Sequence, residues 1–155
     1  ITLESAREAI LVLSREHGYE IDLWEVFMAM ADNGGGLRVE LVEYVRKIRD
    51  SGLATGIITN NVVEFRDHWR GMLPVEDLFD FVIDSSEVGV RKPDPAIFER
   101  ALAVAGLAPQ QVIFLDDFEG NTIAASALNI RSILVDGDGA KTIADLDAVL
   151  GLLTN

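Results

Sequence analysis

The chain has 155 residues, no cysteine and a formal net charge of −13. Its length predicts one domain with a substantial core, and its acidic balance and scattered basic residues exclude nucleic acid and anionic membranes as expected partners. Apolar stretches stay far below the ~20 residues that a membrane span needs, and the lack of cysteine rules out disulfides and thiolate chemistry. We therefore expect a cytoplasmic globular protein.

The first third of the chain is predicted to be helical. Ser5 can cap a helix that runs to about His17, and Gly18 can end it. Asp22 can cap a second helix that reaches about Met30. Both predictions depend on a side-chain oxygen that binds the free N–H groups of the first helical turn.

A break over residues 32–36, Asp-Asn-Gly-Gly-Gly, is the best candidate for a hinge. It separates a small helical segment, residues 1–36, from a larger unit, residues 37–155. The larger unit begins with apolar residues at helical spacing from Leu41 to Ile48, which predict a third helix.

Strands and helices alternate after this helix, which predicts an α/β fold with a doubly wound parallel sheet. The predicted strands cover residues 54–59, 81–83, 112–115 and 132–135, and the predicted helices cover 62–72, 94–105, 121–128 and 140–152. Asp94 and Pro95 are a strong helix start, because Asp caps the free amides and Pro fits the first helical position.

Two adjacent carboxylates, Asp116 and Asp117, follow the apolar strand 112–115. They fall at the carboxyl end of a strand, where open α/β sheets bind ligands, and a hard divalent cation would relieve their repulsion. Alternatively, the pair forms a turn and caps the next helix. Asn121 could hydrogen-bond a metal-binding carboxylate, or it could also be a helix cap.

Thr59, Asn60 and Asn61 follow the first predicted strand and reach the same edge of the sheet. A hydroxyl and the N–H groups of the next turn can hold phosphate oxygens, although an ordinary Asn-rich turn is an alternative. Lys92 lies in a loop made rigid by two prolines and could neutralise a carboxylate or a phosphoryl group. The alternative for Lys92 is an ordinary surface lysine.

These motifs, in this order, resemble the haloacid dehalogenase (HAD) superfamily over about residues 37 to 152. The phrases LFDFVIDSSEVGVRKPDPAIFERAL and IFLDDFEGN are most similar to the phosphatase-like domain at the amino end of soluble epoxide hydrolases. The resemblance implies a Rossmann-like core over residues 37–155 with a small helical cap, of which residues 1–36 are a part.

The resemblance also implies an activity, a magnesium-dependent phosphatase that acts on a small phosphorylated metabolite. In the family an Asp nucleophile forms an aspartyl-phosphate, a second Asp two residues later acts as general acid and base, and water hydrolyses the intermediate. The implied roles are phosphoryl binding by Thr59, Asn60 and Asn61, charge neutralisation by Lys92, Mg²⁺ binding by Asp116 and Asp117, and support of the metal site by Asn121. Asp117 is the expected direct ligand.

The chain departs from the family in one respect, because no Asp-x-Asp motif after an apolar strand occurs before residue 54. In the family that strand lies centrally, between the predicted strands 54–59 and 112–115. Without it both strands would have unpaired edges and the core an open slot. We expect the nucleophile upstream of this chain, whose first residue, Ile1, is unusual for a natural start. A partner or a swapped strand is the alternative.

Other interpretations remain open at this point. Asp136, in an Asp-Gly-Asp-Gly sequence after the last predicted strand, could be the nucleophile of a circularly permuted enzyme. A haloacid dehalogenase needs no metal, so the acidic pair argues against it. A signalling receiver domain would place its acidic pair before the Thr and the Lys. A non-catalytic scaffold would keep the fold for binding alone.

Overall fold

The structure, a computed structural model, describes residues 2–19, 21 and 38–153. Its regular elements are α1 Leu3–Glu16, α2 Val39–Asp50, β1 Gly56–Thr59, α3 Arg66–Arg70, α4 Val75–Leu78, β2 Phe81–Asp84, α5 Ser85–Val88, α6 Pro95–Ala105, β3 Ile113–Asp116, α7 Glu119–Ala127, β4 Arg131–Leu134 and α8 Gly139–Leu153. Helices follow the strands as the sequence pattern predicts, so the α/β fold class is confirmed. Within the described ranges, no helix is long and apolar enough to cross a bilayer.

The observed helix starts agree with the predicted capping residue in one helix and differ from it in another. Helix α6 begins at the predicted cap, since Asp94 Oδ1 accepts a hydrogen bond of 2.9 Å from the Ala96 N–H. Helix α1 is capped by Thr2 rather than by Ser5, which instead completes the capping box at the third helical position. The second predicted helix and the glycine-rich break lie outside the described residues.

The single helix predicted over residues 62–72 is wrong in its extent. A 3-10 turn, Val63–Phe65, comes first, and α3 then ends at Arg70. A β-branched residue is stiff at the start of a helix, and Pro74 disfavours helical backbone in the residue before it. Pro74 restricts only Leu73, whereas Gly71, a poor helix former, directly follows Arg70, where the helix ends.

The four strands form two separate parallel pairs. Strand β1 pairs with β2, with Thr59 opposite Asp84, and strand β3 pairs with β4, with Asp116 opposite Leu134. No strand among the described residues joins β1 to β3. The described strands therefore form two two-stranded parallel sheets rather than one.

Helix α6 supplies the centre of the core beneath the strands. Its Ile97 and Phe98 are fully buried, and the Phe98 ring meets the Phe114 ring of β3 edge to face, with centroids 5.2 Å apart. Aromatic pairs of this geometry add about 0.5–1.5 kcal/mol beyond their buried area. Because Ile83 of β2 belongs to the same buried cluster, α6 packs against strands of both pairs.

Candidate active site

A buried ion pair lies at the carboxyl end of β3. The Lys92 Nζ atom is 2.6 Å from Asp116 Oδ2, and the two side chains are only 11% and 5% exposed. The ammonium group also lies 5.6 Å from the centroid of the Phe114 ring. A buried charge is stable only when it is paired, so Lys92 and Asp116 depend on each other. Lys92 is thus not the surface lysine of the alternative interpretation.

The second oxygen of Asp116 holds the beginning of α7. Asp116 Oδ1 accepts hydrogen bonds from the Phe118 N–H at 2.9 Å and from Asn121 Nδ2 at 2.8 Å. Asn121 is buried inside the first turn of α7, whose cap position is Phe118, so Asn121 is not the helix cap. Its other side-chain atom, Oδ1, is buried with no hydrogen-bond partner in the described part of the chain.

Asn60 holds the loop that carries Lys92. Its Nδ2 donates to the Lys92 carbonyl oxygen and its Oδ1 accepts from the Lys92 N–H, both at 2.8 Å. Two bonds to one residue fix both the position and the orientation of the loop. Asn60, Lys92, Asp116 and Asn121 therefore form one continuous hydrogen-bonded chain across the gap between β1 and β3, which we call the cross-gap chain.

Several polar groups beside the cross-gap chain are not engaged. The Thr59 hydroxyl and the Asn60 backbone N–H have no hydrogen-bond partner among residues that the structure describes. The Asp117 carboxylate, on an exposed residue, likewise makes no hydrogen bond or ion pair within that set. These are two donors and one anionic acceptor that a ligand can use.

Asn61 points into a different network, which is centred on Asp84 at the end of β2. Asn61 Nδ2 and Trp69 Nε1 each donate to Asp84 Oδ2 at 3.1 Å. The Ser86 N–H and hydroxyl donate to Asp84 Oδ1 at 2.9 and 2.7 Å. Burial raises the pKa of Asp84, but the hydrogen bonds from Ser86, Asn61 and Trp69 outweigh it, so the pKa is lowered. Asp84 is accordingly an ionised carboxylate that orders the turn after β1.

The sequence analysis missed Asp84 because the predicted strand 81–83 stopped one residue early. A usable signal was present, since the segment ending in Asp84 is an apolar run closed by an Asp, as is the segment ending in Asp116. The register then places Asp84 beside Thr59. Two carboxylates thus end two strands of this sheet edge.

The acidic pair offers the ligands that Mg²⁺ prefers. The described residues contain no group of three or more His, Cys, Asp or Glu side chains that could hold a metal. Magnesium nevertheless commonly takes one or two protein carboxylates and completes its shell with water and phosphate oxygens. The unengaged Asp117 carboxylate and the orphaned Asn121 Oδ1 fit such a hydrated ion. The residues present are therefore compatible with magnesium.

A cavity of about 530 Å³ opens beside the acidic pair. Asp116 and Asp117 line it, together with Trp69 and Arg38. Most of its remaining lining is apolar and comes from α2 and from the segment between α3 and β2. The cavity therefore combines a mostly apolar lining with two acidic residues and one basic residue.

Asp136 has a structural explanation. Its carboxylate is 3.4 Å from Lys141 Nζ, while Asp138 caps the start of α8 through a 3.0 Å bond from the Lys141 N–H. The hydrogen bond from the Asp138 backbone N–H is the main cause of a lowered pKa at Asp136. An ion-paired carboxylate in a helix-capping turn gives no support to the permuted-nucleophile alternative.

Known proteins that are similar to this chain indicate its family. The haloacid dehalogenase-like hydrolase family model matches residues 5–129. Acyl-CoA dehydrogenase family member 10 of Mus musculus is 36% identical over 112 residues, which are 72% of this chain and 10% of that protein. Bifunctional epoxide hydrolase 2 of Rattus norvegicus is 32% identical over 115 residues, which are 72% of this chain and 21% of that protein. The chain therefore spans only a minor part of these curated relatives.

Solved structures show the same fold. A predicted HAD-like family hydrolase of Porphyromonas gingivalis superposes with a TM-score of 0.69 at 23% identity, over 100% of this chain and 75% of that one. A HAD family enzyme of Bacteroides thetaiotaomicron, solved as a magnesium complex, gives a TM-score of 0.65 at 23% identity, over 89% and 71% of the two chains.

Proposed function

The chain belongs to the haloacid dehalogenase-like hydrolase family, and on that premise we propose that it is part of a magnesium-dependent phosphatase. Its substrate would be a small phosphorylated metabolite. The observation that carries the proposal is the cross-gap chain, which fixes a cation and a carboxylate at one edge of the sheet. Phosphoryl transfer depends on such prepositioned charges. Relatives named phosphoserine phosphatase and phosphoglycolate phosphatase support this class of reaction.

Phosphoryl binding is assigned to the donors left unengaged beside the cross-gap chain. The Thr59 hydroxyl and the Asn60 N–H would donate to two phosphoryl oxygens, and the Lys92 ammonium would offset the negative charge. The Asn61 side chain donates to Asp84 and accepts from the Val62 N–H at 2.8 Å. Its proposed role is therefore to hold the turn rather than to contact phosphate.

Magnesium binding is assigned to Asp117 as direct ligand, with Asp116 beside it. When bound, the ion would supply electrostatic stabilisation to the phosphoryl oxygens. Asn121 keeps the Asp116 carboxylate oriented, and its own Oδ1 is buried without a hydrogen-bond partner in the described part of the chain. Both Asp residues line the 530 Å³ cavity, so the metabolite would enter from that side.

The nucleophile is proposed to be an Asp carried by a strand outside these 155 residues. Its carboxylate oxygen forms a bond to phosphorus while the ester oxygen–phosphorus bond breaks, and the departing oxygen takes a proton from a neighbouring general acid. Water then gives a proton to the same group, which now acts as a base, and its oxygen bonds to phosphorus while the aspartyl oxygen–phosphorus bond breaks. This regenerates the Asp carboxylate and releases inorganic phosphate. Lys92 would offset the negative charge that develops on the phosphoryl group in both steps.

The test is an Asp117→Asn variant of the complete protein, assayed with a generic aryl phosphate and magnesium. We expect a loss of activity of about 100-fold or more, as for other preorganised electrostatic groups. Glu119→Gln is the matched control, because Glu119 is an exposed acid two residues away. Full activity of Asp117→Asn would overturn the metal assignment. Magnesium binding without turnover in the unmodified complete protein would favour the non-catalytic scaffold instead.

A further inference from the structure

One carboxylate oxygen joins two separate parts of the candidate site. Asp84 Oδ2 accepts a hydrogen bond from Asn61 Nδ2 and another from Trp69 Nε1, both at 3.1 Å. Asn61 belongs to the turn after β1, which also carries the unengaged donors of Thr59 and Asn60. Trp69 belongs to α3 and lines the 530 Å³ cavity beside the acidic pair. The same oxygen therefore holds the proposed phosphoryl-binding turn and a residue of the cavity wall.

Asp84 is itself held firmly enough to position both groups. Its side chain is fully buried, and the Ser86 N–H and hydroxyl hold its other oxygen at 2.9 and 2.7 Å. Hydrogen bonds to an ionised acceptor are roughly twice as strong as those between neutral groups. A buried carboxylate that lost one of its donors would keep the cost of desolvation without compensation. The carboxylate is therefore a fixed point to which its two further donors are anchored.

The turn after β1 is anchored from two sides. The Asn61 N–H donates to Ser85 Oγ at 2.8 Å, and the Ser85 hydroxyl donates to the Asn61 carbonyl oxygen at 3.1 Å. On the other side, Asn60 makes its two bonds to the Lys92 backbone. The position of the turn relative to β2 thus depends on Asp84 and Ser85 together.

Trp69 is anchored chiefly by its indole N–H. Two ion pairs also run from α3 to α5, Arg66–Glu87 at 3.9 Å and Arg70–Glu87 at 3.2 Å, but their side chains are 35–43% exposed. Exposed ion pairs of this kind contribute little. The Arg70 guanidinium lies 5.6 Å from the centroid of the Trp69 ring, which helps to orient the ring. The charge-assisted bond to Asp84 therefore fixes the ring more strongly than these exposed contacts do.

We propose that Trp69 determines specificity for the organic group of the phosphate ester, and that Asp84 is the positioning residue that sets the Trp69 ring. An indole ring in a mostly apolar wall offers a large contact surface to such a group. Because Asp84 also holds Asn61, it fixes the ring relative to the phosphoryl-binding turn. Esters whose organic group reaches the ring are then bound more tightly than esters whose organic group is too short. This role rests on the proposed function, which assigns phosphate to the turn.

The experiment measures binding of two non-hydrolysable phosphonates to the complete protein with magnesium, by calorimetry. Benzylphosphonate carries an aromatic ring that can contact Trp69, whereas methylphosphonate carries only a methyl group. We expect the unmodified protein to bind benzylphosphonate about 10-fold more tightly or better, because the benzyl ring buries more apolar area. Equal affinity for the two phosphonates would overturn the specificity role of Trp69, whatever the variants show.

Two substitutions separate the ring from its anchor. Trp69→Phe keeps an aromatic ring but loses the N–H, so the preference for benzylphosphonate should fall about 5-fold and methylphosphonate affinity should not change. In Asp84→Asn the Ser86 donors hold the amide oxygen, so the amide NH₂ faces the donors of Asn61 and Trp69. We expect the same loss of preference and, because the turn moves too, methylphosphonate binding that is about 3-fold weaker.

The double variant distinguishes positioning from a general structural effect. If Asp84 acts on the ring through the indole N–H, Asp84→Asn/Trp69→Phe should have the same preference as Trp69→Phe alone. Losses of preference that multiply in the double variant would overturn the positioning role. Weakening of both phosphonates by one factor in Asp84→Asn would overturn it as well. Asp77→Asn is the matched control, because it removes an exposed acid of α4, and it should leave both affinities unchanged.

The result can be told apart from the outcome of the phosphatase assay, because no turnover is measured. The stated preference in a protein that hydrolyses nothing would support the roles of Trp69 and Asp84 while the proposed reaction fails. Hydrolysis by a protein with no preference would do the reverse. Binding of neither phosphonate would overturn the phosphoryl site and these roles together. If Trp69→Phe does not fold, the unmodified protein and Asp84→Asn still decide the question.

Discussion

Replacing Lys92 with methionine removes one charge of the buried ion pair and keeps most of the side-chain stem. The variant leaves the Asp116 carboxylate, only 5% exposed, without its cation. Removing one partner of a buried pair costs about 3–5 kcal/mol, because the remaining charge stays desolvated. We therefore expect Lys92→Met to lower the free energy of unfolding by about 3–5 kcal/mol.

The measurement is urea denaturation at neutral pH with a chelator, so that no metal ion replaces the lost ammonium. Lys92→Met/Asp116→Asn removes both charges, while the Asn oxygen can still accept from the Phe118 N–H and Asn121 Nδ2. We expect the double variant to be more stable than Lys92→Met alone. Lys141→Met is the control, since Lys141 is 52% exposed in its own ion pairs, and we expect no resolved change.

Two results would refute this reasoning. A loss below about 1 kcal/mol in Lys92→Met would show that the charge of Asp116 is solvated, contrary to its burial. Strict additivity of the two single substitutions would show that Lys92 and Asp116 do not stabilise each other.

Three further predictions concern groups around the site and the core. Because the pKa of Asp84 is lowered in the folded protein, its ionised form adds stability above the ordinary carboxyl pKa of about 3.9, and that stability is lost as pH falls through the folded value. The melting temperature should therefore fall more steeply toward pH 3 in the unmodified chain than in Asp84→Asn. Parallel profiles of melting temperature against pH would contradict this. Burial, helped by a hydrogen bond to Asp147, raises the pKa of Tyr44 to about 12, so its contribution is present below about pH 10 and lost as pH rises toward 12. The phenolate absorbance of the unmodified chain minus that of Tyr44→Phe should have its midpoint near 12, and a midpoint near 10 would exclude the burial effect. Asn60→Ala removes both bonds to the Lys92 backbone and should cost about 1–2 kcal/mol in urea denaturation. Asn60→Asp should cost at least as much, because its second carboxylate oxygen would face the Lys92 carbonyl oxygen.

The fold class could be predicted because each strand is a short apolar run bounded by turn residues. Such a run specifies a buried strand wherever it lies in the chain, and the predicted positions differ from the observed ones by only one or two residues. The start of α6 could be predicted for the same reason, because Asp94 and the proline after it determine it. Patterns of this kind depend on neighbours in sequence, so the sequence alone contains them.

The contacts of Asn60 and Asp84 could not be predicted in the same way. Asn60 bonds to a residue 32 positions away, and Trp69 reaches Asp84 from 15 positions away. Both contacts exist only after the strand register has brought the loops together. The sequence identified Asn60 as part of a site. Its side chain holds the loop that carries Lys92. Only the tertiary structure distinguishes this positioning role from direct contact with phosphate.

The cross-gap chain has a consequence for how a catalytic field can arise in this molecule. Its hydrogen bonds span the gap with no described strand between β1 and β3. The ammonium and the carboxylate are therefore oriented by the fold itself, and under the proposed function they would need little reorganisation when charge moves. Most of the electrostatic stabilisation of that proposed reaction would thus be set during folding.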